Sequence, residues 1–139
     1  MGPAVLRIRL YCNYLANLRL VEFLQSQPAD VLAATQPGGY DSIGETVVHL
    51  VAVQERYARR FSPEALLPPS WESDGWPGFP RLRDSLRSSG FLLLRAATSA
   101  VEDASQLTEA MKHASEQRVN ITTVLAARGI DHPAVAGWY

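Results

Sequence analysis

Apolar residues in this chain recur at three- and four-residue steps in four separate stretches, and proline or glycine stands near the end of most of them. That spacing is the signature of amphipathic helices. The first predicted helix runs from Leu6 to Gln25, with Tyr11, Tyr14, Leu15, Leu18, Val21 and Leu24 as its stripe and Pro28 just past its end. The second starts behind Asp41 or Ser42. Glu45 stands three residues after Ser42, the spacing at which the two can cap the helix reciprocally. Its stripe is Ile43, Val47, Leu50, Val51, Ala58 and Phe61, and it stops at Ser62-Pro63. The third spans Arg81 to Glu102 through Leu82, Leu86, Leu93, Ala97 and Ala100, with Gly90 inside it at a cost of about 1 kcal/mol relative to alanine. The fourth covers Gln106 to Arg128. Leu107, Ala110, Met111, Ala114, Ile121, Val124 and Leu125 face inward, and Gly129 terminates it. A short helical turn is expected at Asp30–Ala34, before the Pro37-Gly38-Gly39 turn.

The connectors limit how these helices assemble. Ser62 to Pro80 carries Pro63, Pro68, Pro69, Pro77 and Pro80 together with Trp71, Trp76 and Phe79. It reads as a stiff connector whose aromatics cover part of the bundle. At about 3.3 Å per extended residue it can span the length of a bundle. Length alone allows an up-down-down-up bundle with this long crossover between helices two and three, and equally an up-down-up-down one. The closing Trp138-Tyr139 should fold back on the bundle.

The whole chain, residues 1–139, is the right size for one all-α domain, and 47% hydrophobic with 19% charged residues suits a soluble one. A net charge of −1 gives no electrostatic case for binding nucleic acid or an anionic membrane. No run approaches the roughly 18 apolar residues of a membrane span. The N-terminus lacks a signal-type apolar core. The single Cys12 cannot form an intramolecular disulfide and suits a reducing cytoplasm.

Chemistry concentrates in two places. His113 and Gln117 are four residues apart, so they share one face of helix four. His49 lies on helix two in Glu45-Thr-Val-Val-His49-Leu50. Three side chains from two helices could therefore converge on one metal ion. Neutral imidazole is the usual nitrogen ligand and carboxamide a poor one, which makes Gln117 the weak point. Periodicity by itself favours plainer roles: His113, Gln117 and Asn120 as a polar flank beside the core stripe, and His49 as a partly exposed histidine. Glu45 and Glu109 each precede a histidine by four residues and could orient an imidazole or add a carboxylate. His132, before Pro133, is expected in solvent. Arg56, Arg59 and Arg60 form a small basic patch at the end of helix two, where they complement the helix dipole or contact an anion. No Ser–His–Asp grouping, glycine-rich phosphate loop or Cys-x-x-Cys pair is present.

Taken in order, these segments resemble the DinB-like superfamily of small four-helix proteins, which includes thiol-dependent S-transferases. Tyr11, Asn13 and Asn17 are similar to the opening helix of that family. Asp41-Ser42-Ile43, Val48-His49-Leu50 and Glu55-Arg56-Tyr57 resemble its second helix. His113-Ala-Ser-Glu-Gln117-Arg118 resembles its His-x-x-x-His-Arg motif with Gln117 in place of the second histidine, and Leu125 to Ile130, Pro133 and Trp138-Tyr139 resemble its end. The resemblance implies an up-down-down-up bundle, often a homodimer, with a divalent metal such as zinc or nickel held at His49, His113 and Gln117. It also implies transfer of a low-molecular-weight thiol, of the bacillithiol or mycothiol type, to an electrophilic substrate. Two departures bear on that activity. Gln117 should weaken a transition-metal site, and the connector between helices three and four is shorter than is common in relatives. The competing expectation is a non-catalytic bundle that binds a small molecule or partner in the same groove. Apolar residues beyond one stripe on helix one, Leu10, Leu20 and Phe23, together with the connector's aromatics, predict a homodimer interface.

Overall fold

A computed structural model of the chain describes residues 2–35, 41–62, 75–99 and 104–135. Four helices dominate it: α1 (Pro3–Gln25), α2 (Ile43–Phe61), α3 (Phe79–Ser99) and α4 (Ala104–Ala127), with a short 3-10 turn at Ala29–Ala33. Pro3 sits in the first turn of α1, where its missing N–H costs nothing, and this lets the helix start before Leu6. Ser42 and Glu45 cap α2 reciprocally: Glu45 N donates to Ser42 Oγ at 3.1 Å and Ser42 N donates to Glu45 Oε1 at 3.2 Å. At the end of α4, Gly129 takes φ +71°, Ile130 N donates to Leu125 O at 3.0 Å and Gly129 N donates to Ala126 O at 3.0 Å. This is the Schellman arrangement, completed by packing of Ile130 on the core that contains Leu125. The predicted contributions of Pro37–Gly39, Trp71, Ala100, Trp138 and Tyr139 lie outside the described residues.

Two layers of core fix the direction of every helix. One gathers Leu20, Val21 and Leu24 from the end of α1, Ile43 and Val47 from the start of α2, Leu82 and Leu86 from the start of α3, and Ile121 and Leu125 from the end of α4. The other gathers Leu6 and Leu10, Ala58, Leu92, Leu93 and Ala97, and Leu107 and Met111, the opposite halves of the same helices. Helices α1 and α4 therefore run one way and α2 and α3 the other, the up-down-down-up order. Helix α2 thus ends in the layer opposite to the one where α3 begins.

Helices adjacent in sequence are not the ones that pack most closely. Each of α1 and α2 packs against both α3 and α4, whereas α3 and α4 touch little. The sequence-adjacent pairs, α1 with α2 and α3 with α4, thus lie across the diagonals of the bundle. The α1–α3 contact explains Gly90. A Cβ there would stand 2.6 Å from Cδ1 of Tyr14, so the ring of α1 rests on the bare backbone of α3.

The stripe predicted for α1 is buried at Val21 and Leu24 and out of phase before them. Tyr11 is exposed, and Tyr14, Leu15 and Leu18 are only half-buried. The buried row is Leu6, Leu10, Asn13, Ala16, Asn17, Leu20, Val21 and Leu24. Two asparagines interrupt that row in sequence, and the reason they are inside lies on α4.

Replacing Gly90 with alanine in an exposed helix would add about 1 kcal/mol of stability. Here overpacking against Tyr14 should cost about 1–3 kcal/mol. Urea denaturation of Gly90→Ala is expected to show a lower midpoint than wild type; a higher midpoint would contradict the close approach of α1 and α3.

Candidate functional site

Arg118, the last residue of the motif on α4, is 0% exposed and lies at the centre of the bundle. Its Nε donates to Val135 O at 2.6 Å, and one terminal nitrogen donates to Asn13 Oδ1 at 2.7 Å and to Asn17 Oδ1 at 2.6 Å. Burial draws its pKa down to about 10, so it remains a cation at neutral pH. From Asn17 the network continues across the diagonal: its Nδ2 donates to Gln54 Oε1 of α2 at 2.9 Å. Gln54 Nε2 then donates to Ser89 Oγ at 2.8 Å and Leu86 O at 3.3 Å on α3. Ser89 Oγ donates to Ser85 O at 2.6 Å, and Ser85 Oγ donates to Glu55 Oε1 of α2 at 2.5 Å. One chain of polar contacts thus joins all four helices, and Val135 ties the segment after α4 to it. In the sequence Arg118, Asn13 and Asn17 carried the family resemblance without a role. Their role is to brace the core.

The brace positions the histidines. His49 on α2 and His113 on α4 meet across the packed α2–α4 pair, both half-buried, with ring centroids 5.3 Å apart and planes inclined at 65°. Two imidazoles bonded to one tetrahedral ion at about 2.0–2.1 Å would place their centroids about 5.2 Å apart. The observed spacing is that of an edge-to-face ring pair and is also compatible with that geometry. Burial, then the charge of His49, hold the pKa of His113 below its usual value; Glu116 opposes the shift and Arg56 adds to it. His113 is accordingly neutral at neutral pH, the form that offers a lone pair to a metal.

The other predicted residues are less well placed. Gln117 is half-buried one turn beyond His113, at the i+4 position of the same helix. Glu45 is committed to the cap of α2 through Oε1, and Glu109 is exposed. The carboxylate that acts on His113 is instead that of Glu116. His132 is half-buried rather than solvated, with Nδ1 3.0 Å from Pro133 O. In the basic patch, Arg60 lies 4.7 Å over the Tyr57 ring and donates to Gln106 Oε1 at 3.2 Å. Among the described residues no group of three His, Cys, Asp or Glu side chains is placed to hold a metal ion. Gln117 shares the face of α4 that carries His113, four residues on. His49 also lines an open cavity of about 520 Å³ between the 3-10 turn, the first turns of α2 and Trp76. No sequence signal pointed to that cavity, because residues far apart in the chain form it.

The fold and the paired histidines agree with a sequence match: the DinB superfamily profile aligns to residues 16–128. The chain belongs to the DinB superfamily. No curated protein and no solved structure matches it. No helix among the described residues is long and apolar enough to cross a membrane.

Proposed function

We propose that this DinB-superfamily protein is a cytoplasmic, metal-dependent thiol transferase with a weakened metal site. The observation that carries the reading is the His49–His113 pair, whose 5.3 Å centroid spacing suits a shared divalent ion such as zinc or nickel. His49 and His113 would supply two nitrogens and Gln117 a carbonyl oxygen. A bound divalent ion would lower the pKa of a bacillithiol- or mycothiol-type thiol and hold it as the thiolate, the nucleophilic form. The half-buried position of the imidazoles limits water around the reacting sulfur, and the neutral form of His113 leaves its ring nitrogen free of competition from a proton. The single Cys12 suits the reducing compartment in which such thiols work.

Gln117 favours a second reading, a non-catalytic bundle that binds a small molecule in the same region, because an amide oxygen is a poor ligand for zinc or nickel. Titration separates the two. Gln117→His should raise zinc or nickel affinity by about tenfold or more over wild type, since the new imidazole stands one turn from His113. Equal affinities for the two proteins would remove Gln117 from the site. Failure of both to bind metal would remove the transferase reading.

We also infer a homodimer, on a face that keeps Tyr11 of helix one but not Leu10, Leu20 or Val21. Leu10, Leu20 and Val21 are consumed by the protein's own core. Among the described residues the large apolar side chains left outside are Trp76, Val119 on α4, and a group of Val5, Ile8 and Tyr11 on α1 with Phe91 on the adjacent α3, Ile8 being 64% and Phe91 63% exposed. A patch of this kind is commonly covered by a partner, and two-fold pairing is the default symmetry. Light scattering at micromolar concentration should give twice the 15.3 kDa chain mass. A mass of one chain throughout, or a dimer unaffected by Ile8→Glu with Phe91→Glu, would contradict it.

A further inference from the structure

The cavity beside His49 has walls of two kinds. Leu32, Val48 and Trp76 make an apolar side, and Asp41 and Glu45 add carboxylates. At about 520 Å³ it falls within the range of pockets that enclose small organic ligands. Trp76 is braced by Phe79, with centroids 5.0 Å apart and planes at 77°, which fixes the indole at the pocket wall.

A helix N-terminus opening on a cavity usually invites an anion. This one does not. Ser42 N and Glu45 N are taken by the reciprocal cap, and Ile43 N donates to Ala34 O at 3.0 Å. Of the amides that would hold a phosphate or carboxylate, those of Ser42, Ile43 and Glu45 are already paired. The described lining residues include no lysine or arginine, whereas two acidic side chains stand at the rim. One oxygen of Glu45 is held by the cap, so its charge is positioned while its other oxygen remains for a ligand. The aromatic face of Trp76 adds a second attraction for positive charge.

We propose that this cavity binds an organic cation: an alkylammonium group at Asp41 and Glu45, carried on an apolar body that lies against Leu32, Val48 and Trp76. The site does not depend on thiol transfer and requires no metal at the histidine pair. It does place the bound molecule alongside His49, which lines the same cavity.

The test is calorimetric titration of the full chain at pH 7, with chelator present to keep metal out of the measurement. Three probes share one apolar frame: 2-phenylethylamine as the cation, 2-phenylethanol as the neutral form and 3-phenylpropanoate as the anion. The amine should bind about tenfold or more tightly than either of the others. Asp41→Asn with Glu45→Gln should weaken the amine by about tenfold and leave the alcohol within about twofold. Glutamine retains the capping geometry, so the fold is expected to survive, and an unchanged thermal midpoint verifies it. Absence of saturable amine binding, equal or tighter binding of the anion, or undiminished amine affinity in the double variant would each overturn the proposal. Metal affinity at His49 and His113 is measured separately, so the failure of one reading leaves the other standing.

Discussion

The buried Arg118 guanidinium sets the terms for the rest of this structure. A cation at 0% exposure is tolerable only where its N–H groups find oxygens, and Asn13, Asn17 and Val135 supply them at 2.6–2.7 Å. Such a requirement is directional, unlike the packing of leucines. Helix α4 cannot rotate or slide against α1 without leaving a buried charge unsatisfied. Asn17 passes the constraint to Gln54, and Gln54 passes it to Ser89, so helices that do not pack extensively are held in one register through their side chains.

The histidine pair benefits from that register. His113 lies five residues before Arg118 on the same rigid helix, and His49 lies five residues before Gln54 on α2. With Arg118 and Gln54 fixed in the core, the flanks of α4 and α2 are turned so that the two imidazoles meet. The lowered pKa of His113 reflects the same enclosure. The cavity beside His49 depends on another local device, the cap that fixes the start of α2 and engages the amides of Ser42 and Glu45.

What the sequence revealed follows from which interactions are local. The Ser42–Glu45 cap, the Gly129 stop and the stripes of α2 and α4 depend on residues three to five apart, and spacing is enough to find them. The α1 stripe was misphased because polar residues stand in the buried row. Asn13 and Asn17 look like surface until Arg118, about a hundred positions away, is seen between them. The exposed face of α1 differs for the same reason: Leu10 and Leu20 go inside, and Ile8 stands outside beside Tyr11. Gly90 looked like a weakness in α3 and is the seat of Tyr14. His49 and His113 are visible as candidates from their residue type and their places on two helices, but their meeting is a tertiary fact that periodicity on either helix could not supply.

The account rests on Arg118 and Asn17 acting as a unit, and a double-mutant cycle in urea measures this directly. Arg118→Met and Asn17→Leu should each destabilise by about 2–4 kcal/mol, because each leaves a buried partner unsatisfied. The double variant should lose less than the sum by about 1–3 kcal/mol, since removing both partners removes part of that penalty. Losses that add to within about 0.5 kcal/mol would contradict the brace and return the fold to apolar packing alone.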